Sequence, residues 1–185
     1  RQACQMSRQL ELWGMPDVQI AINLSPRQFS DPELVESIRQ ILLEERLGGE
    51  RIELELTESL LLDATDATRL QLEALKGLGL TLAMDDFGTG YSSLSYLKKF
   101  PIDVIKIDRS FIKDIPENQD DMEITSAVIA MAHNLKLKVV AEGIETAAQL
   151  GFLRRQQCDV GQGYLFDRPI PGSELIAKLK EVLGA

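Results

Sequence analysis

Apolar positions along the chain switch between two periods, and the switching predicts its elements. Ala3, Met6, Leu10 and Trp13 share one helical stripe, so the chain opens in mid-helix, as if inside a βα unit. After the turn at Gly14-Met15-Pro16-Asp17 the period drops to two. Ile20, Ile22 and Leu24 share one face and Ala21 and Asn23 the other, which predicts a strand over 18–24. Ser30-Asp31-Pro32-Glu33 reads as a helix start, with proline and an acid in the first turn. That helix runs to about 46, turns Leu34, Ile38, Ile41 and Leu42 inward, and stops at Gly48-Gly49. The same reading predicts strands over 51–57, 80–85, 103–107 and 138–141, with a weak, glycine-interrupted strand over 159–164. Helices are predicted over 63–78, 94–99, 121–135, 145–156 and 171–183.

Strict alternation of strand and helix implies an α/β fold with a parallel sheet. The parity within each strand says which kind. Ile52, Leu54 and Leu56 share one face while Glu53, Glu55 and Thr57 share the other. Leu82 and Met84 oppose Ala83 and Asp85, Ile105 and Ile107 oppose Lys106 and Asp108, and Val139 and Ala141 oppose Val140 and Glu142. One face is apolar throughout. The other ends in a polar or charged group near the strand's C-terminal end. An open sheet covered by helices on both faces tolerates this badly. A TIM-like (β/α) barrel accounts for it, with outward residues meeting the helices and inward groups converging at one mouth. Six strands are counted where closure needs eight, so the barrel is incomplete, with two unpaired edges for a partner, a swapped segment or a distorted sheet to cover.

The 185 residues are enough for one domain with a sizeable core. A formal charge of −9, from 29 acidic and 20 basic residues, argues against a nucleic-acid polymer or an anionic membrane surface as partner. An anionic substrate would need metal ions or a few well-placed cations. Cys4 and Cys158 lack metal or redox spacing and read as small buried hydrophobes, in keeping with a reducing, cytoplasmic compartment. No signal peptide or membrane-length apolar run is seen.

The predicted mouth gathers Asn23, Glu55 and Glu58, Asp85 and Asp86, Lys106 and Asp108, Glu142 and Glu145, and Gln162. Adjacent carboxylates such as Asp85 and Asp86 repel, so burying them calls for a cation or a shared proton. Oxygen donors suit Mg²⁺ or Mn²⁺ rather than a structural zinc. Two neighbouring aspartates could bridge two ions in a phosphoryl displacement. Lys106 could orient or acidify water, stabilise developing charge, or act as the base in a Mg²⁺-dependent proton abstraction. His133, the single histidine, sits beside Asn134 near a helix C-terminus and reads as a surface residue. Gly88-Thr89-Gly90 lacks the lysine of a P-loop and reads as a mobile loop, and Lys98-Lys99 as a solvated face.

The ordered series Asn23-Leu24-Ser25, Glu55-Leu56-Thr57-Glu58, Asp85-Asp86-Phe87-Gly88-Thr89-Gly90, Ile105-Lys106-Ile107-Asp108, Ala141-Glu142-Gly143-Ile144-Glu145 and Gln162-Gly163-Tyr164-Leu165 resembles the EAL-domain family over nearly the whole chain. These are bacterial cyclic di-GMP phosphodiesterases with a TIM-like barrel. The resemblance implies hydrolysis of cyclic di-GMP to linear pGpG in second-messenger signalling such as biofilm control, with two Mg²⁺ or Mn²⁺ ions. By motif match, Asn23, Glu55 and Asp85 hold one metal, and Asp85 and Asp86 serve the second. Lys106 and Glu142 position or deprotonate the attacking water, and Gln162 supports it. Glu58 braces the loop over 86–93, and Asp108 and Glu145 contact water or substrate. The family also implies a homodimer with an interface near that loop, and sensory or regulatory domains in a parent protein.

The chain departs from that pattern in one important respect. The Glu-Ala-Leu strand that names the family, with its metal-binding glutamate and following arginine, is expected ahead of the opening helix and is absent. Residues 1–185 therefore read as the C-terminal three quarters of an EAL-type domain, truncated at the N-terminus. A catalytically inactive cyclic di-GMP receptor or protein-interaction module is the alternative. Asp167, where the family often has a small residue, is expected to matter little.

Overall fold

Six parallel strands lie side by side in chain order: β1 (Ile20–Asn23), β2 (Ile52–Thr57), β3 (Thr81–Phe87), β4 (Val104–Ile107), β5 (Lys138–Ala141) and β6 (Val160–Gly161). The computed structural model describes residues 1–62, 65–88, 97 and 99–183. The predicted loop over 89–93 and most of the predicted helix over 94–99 lie outside these residues, as does Lys98. The helices are α1 (Gln2–Leu12), α2 (Pro26–Phe29), α3 (Leu34–Glu45), α4 (Glu58–Leu62), α5 (Asp66–Gly77), α6 (Gln119–Asn134), α7 (Ala147–Arg155) and α8 (Gly172–Leu183). The result is a half-barrel. Among the described residues β1 pairs only with β2 and β6 only with β5, leaving two open edges. No described helix is long and apolar enough to cross a membrane.

Strand parity is obeyed on both faces. Leu54, Leu56, Leu82, Met84, Ile105, Ile107, Val139 and Ala141 point outward and join Leu72, Leu75, Ile129 and Phe152 of the helix layer in one large core. On the concave side Ala83, Val104 and Val140 form a separate small apolar cluster. Register sets the depth of the inward groups, since Asn23 pairs with Glu55, Thr57 with Asp85, and Lys106 with Val140. Glu53 lies one inward step below Glu55. Burial and the Glu55 charge push its carboxyl above the usual range. A cavity of about 620 Å³ opens beneath, at the N-terminal ends of the strands, lined by Gln19, Glu53, Thr81, Asp103, Lys138 and Val160.

Several boundaries differ from the sequence expectation. Ser25 starts α2 through a reciprocal capping box with Gln28, a short helix that hydrophobic period alone does not reveal. α3 begins at Leu34 and ends on Arg46 in the left-handed region, φ 51°. The helix expected over 63–78 is preceded by α4, and a capping box of Thr65 and Thr68 starts α5. β6 shrinks to two residues because the chain turns at Gly163, whose α-carbon lies against the Ile144 backbone: a Cβ there would sit 2.8 Å from the Ile144 carbonyl carbon. Cys4 is buried, Cys158 partly so, and both are free thiols.

Candidate active site

Four strands converge on a single ammonium. Lys106 Nζ on β4 lies 2.6 Å from Glu55 Oε1 on β2, 3.0 Å from Asp85 Oδ1 on β3 and 2.7 Å from Glu142 Oε1 just beyond β5. Parity brings these four side chains inward. By register Glu55 lies one inward step below Asp85, and Glu142 one step above Lys106's neighbour Val140, and the long lysine side chain reaches all three carboxylates. The lysine side chain is only 5% exposed. One ammonium facing three carboxylates leaves a formal surplus of two negative charges.

The charge states follow from that imbalance. Burial works against the Lys106 ammonium, but hydrogen bonds and attraction from Glu142 and Glu55 outweigh it and hold its pKa above the ordinary lysine range. Glu142 is pushed above the usual carboxylate range. Burial is the largest influence and raises it, the Lys106 hydrogen bond and charge pull it back, and repulsion from Asp85 and Glu55 adds to the rise. A single cation cannot satisfy three anions, so both directions belong to one cluster.

Asp85 and Asp86 occupy an irregularity in the sheet. Met84 pairs with Ile105 and Phe87 with Ile107, so two residues of β3 stand opposite one of β4. This is a β-bulge. Asp86 absorbs it with φ 57°, unusual for a residue other than glycine. Phe87 thereby returns to the outer core instead of facing the mouth. Asp86 is exposed, and its amide donates to Asp85 Oδ1 at 3.1 Å. What burial it has, with repulsion from Asp85 and Asp108, raises its carboxyl pKa.

The other expected residues surround this centre at different depths. Glu58 opens α4, is buried, and accepts the Gly88 amide through Oε2 at 3.1 Å. Its Oε1 is the one buried side-chain polar atom without a hydrogen-bond partner among the described residues. Asn23 lies on edge strand β1 beside Glu55 and is exposed. Asp108 turns back to its own loop and accepts the Ser110 amide at 2.9 Å. Burial tends to raise Asp108, but hydrogen bonds from Ser110 and Arg109 hold it below the usual range. Gln162 follows β6, and its amide donates to the Ala141 carbonyl at 2.9 Å. It lines a smaller cavity of about 190 Å³ with Arg109, Glu142, Glu145 and Tyr164. Glu145 is paired there with Arg109 at 2.7 Å.

Arg109 was invisible to strand parity, because it lies past the end of β4. The signal that could have found it is a cation three residues beyond Lys106 in a loop facing the mouth. His133 pairs with Asp159 at 2.9 Å, away from the Lys106 cluster.

Among the described residues no three Asp, Glu, His or Cys side chains stand together so as to enclose a metal ion. Lys106 occupies the point on which Glu55, Asp85 and Glu142 converge. The set of Glu55, Asp85 and Glu142 nevertheless has the chemistry of a divalent-cation site: it is all oxygen and carries two surplus negative charges over Lys106.

The EAL-domain family model matches residues 1–169. A curated protein of Pseudomonas aeruginosa named cyclic di-GMP phosphodiesterase NbdA is 49% identical over 185 residues, covering 100% of this chain and 23% of its own length. The chain thus spans about a quarter of the curated relatives it matches. The solved structure of PaMucR phosphodiesterase in complex with c-di-GMP superposes with a TM-score of 0.89 at 45% identity, covering 94% of this chain and 70% of that one. Klebsiella pneumoniae BlrP1, solved as a manganese/cy-diGMP complex, superposes with a TM-score of 0.81 at 36% identity, covering 90% of this chain and 42% of that one.

Proposed function

The chain belongs to the EAL-domain family, and from that premise we propose that it carries the hydrolytic mouth of a metal-dependent cyclic di-GMP phosphodiesterase. The observation that supports this reading best is the buried cluster of Glu55, Asp85 and Glu142 around Lys106. Such a surplus of carboxylate would repel an anionic phosphodiester unless cations enter with it. Asn23, Glu55, Asp85 and Asp86 would hold Mg²⁺ or Mn²⁺. When bound, the ions would supply positive charge to the phosphoryl oxygens and acidify the attacking water.

The protein's own groups then divide the work. Glu142 takes a proton from water as its oxygen attacks phosphorus. The P–O3′ bond breaks, the 3′-oxygen takes up a proton from solvent while Glu142 returns its own to solvent, and the ring opens to linear pGpG. A carboxyl held above its ordinary pKa is better matched to a base near neutral pH. Lys106 stays charged, so it orients Glu142 and stabilises negative charge rather than accepting a proton. This weakens the alternative in which a neutral lysine abstracts a proton. Gln162 supports the water, Glu58 braces the loop after Asp86, and Asp108 and Glu145 shape the rim beside the substrate. The same reading carries a homodimer with its interface near that loop.

A second reading is favoured by the open concave face. Six strands leave β1 and β6 without outer neighbours among the described residues, so this chain by itself could bind cyclic di-GMP without cleaving it. One experiment addresses both. This chain and the full-length protein containing it are incubated with cyclic di-GMP and Mg²⁺ or Mn²⁺, and products are separated by chromatography. Production of pGpG by the full-length protein is expected. Binding without turnover by that protein would replace the enzyme reading with the receptor.

A further inference from the structure

Three successive strand ends are tied together by contacts that involve none of the Lys106 cluster. The Arg109 guanidinium, in the loop after β4, reaches Glu145 in the loop after β5 at 2.7 Å. On the way its aliphatic stem lies across the α-carbon of Gly143. A Cβ on Gly143 would stand 2.6 Å from Arg109 Cβ and 2.8 Å from its Cδ. Gly143 has φ 70°, so the chain bends sharply immediately after Glu142, and the arginine stem fills the space the bend leaves.

Buried Gln149 makes a second tie between the same loops. Its Oε1 accepts the amides of Glu145 and Thr146 at 2.7 and 2.9 Å, and its Nε2 donates to the Lys113 carbonyl at 3.1 Å. On its other side the bend is tied to the residue just past β6, where the Ile144 amide donates to the Gln162 carbonyl at 3.0 Å.

We propose that Arg109 is a positioning residue for the reaction. By packing on Gly143 and pairing with Glu145, it fixes the bend that aims Glu142 at Lys106. The inference rests on the reading of Glu142 as the base. Both Arg109 and Glu145 are well exposed, so their ion pair adds little to global stability. The stem packs directly on the α-carbon of the bend, and displacing a reacting group by about 1 Å can cost as much as 100-fold in rate. The arginine thus acts on catalysis through Glu142 without touching the reacting atoms.

The test compares Arg109→Ala, Arg109→Lys and wild type in the full-length protein. It reads kcat and KM for cyclic di-GMP, the thermal midpoint, and a crystal structure of Arg109→Ala. We expect Arg109→Ala to lower kcat about tenfold or more, with KM and the thermal midpoint nearly unchanged. Glu142 should move out of hydrogen-bond reach of Lys106 in the variant crystal. Arg109→Lys, which keeps the stem and the charge, should restore most of kcat. A raised KM with unchanged kcat would make Arg109 a substrate contact and overturn the proposal, as would a Glu142 carboxylate that stays on Lys106 in the variant. The crystallographic readout keeps this test separate from the functional reading: a wild type without turnover refutes that reading, while the position of Glu142 still decides the tie.

Discussion

Lys106 decides most of the residue-scale chemistry. Replacing it with methionine leaves three inward carboxylates without their cation, which should cost about 3 kcal/mol of stability and at least 100-fold in turnover. Urea unfolding and steady-state assays of Lys106→Met check the two effects. Glu142→Gln should lose turnover comparably while keeping its stability, since it removes one of the surplus charges. Asp159 makes the pH prediction. Burial alone would raise its carboxyl, but hydrogen bonds from His133 and the Val139 amide outweigh that and lower it. A carboxyl more acidic in the folded state binds its proton better in the unfolded chain. Its contribution is therefore present above the ordinary aspartate value of about 3.9 and is lost as pH falls through the lower folded value. Urea midpoints should fall on acidification below about pH 4, and Asp159→Asn should show a shallower fall. An unchanged slope would show that the pair contributes nothing.

The elements were readable wherever a side chain's face follows from its place in the same strand. Glu55, Asp85, Lys106 and Glu142 were found from period two alone, because a strand's alternation fixes their side of the sheet. The bulge at Asp85 and Asp86 was not readable, since it depends on how β3 registers against β4. Parity within β3 would send Asp86 outward; only the extra residue keeps it at the mouth. This gives a backbone prediction. Asp86→Gly accepts φ 57° and should leave the thermal midpoint nearly unchanged, whereas Asp86→Val should destabilise by about 1–2 kcal/mol more. Arg109 escaped for a similar reason, because its role depends on contact between two loops. In the outer core, Leu82 and Ile105 are fully buried, and Leu82→Ala should cost about 2–5 kcal/mol by chemical denaturation.

At the scale of the whole molecule, one asymmetry links fold and function. The convex side is a large apolar layer under helices, whereas the buried apolar floor of the concave side, among the described residues, is the small cluster of Ala83, Val104 and Val140. Glu55 and Lys106 flank that floor, pairing with Ala83 and Val140, while Glu53 lies below it and Asp85 and Glu142 above. The sequence expressed this as an apolar face opposite a polar one in every long strand. It could not express the depth of each group, because depth depends on how neighbouring strands register. Chelation should abolish turnover by the full-length protein, and Mn²⁺ or Mg²⁺ should restore it. Millimolar Mn²⁺ should also raise the thermal midpoint of the wild type, and Asp85→Ala should lose that rise.

The most direct test of hydrolysis at this mouth follows cleavage in ¹⁸O-labelled water. Full-length wild type with cyclic di-GMP and Mn²⁺ should yield pGpG carrying one ¹⁸O on its 5′-phosphate, and Glu142→Gln should form that product at least 100-fold more slowly. Unlabelled pGpG, a label on the 3′-hydroxyl, or an undiminished rate in Glu142→Gln would contradict attack of water on phosphorus with Glu142 as its base.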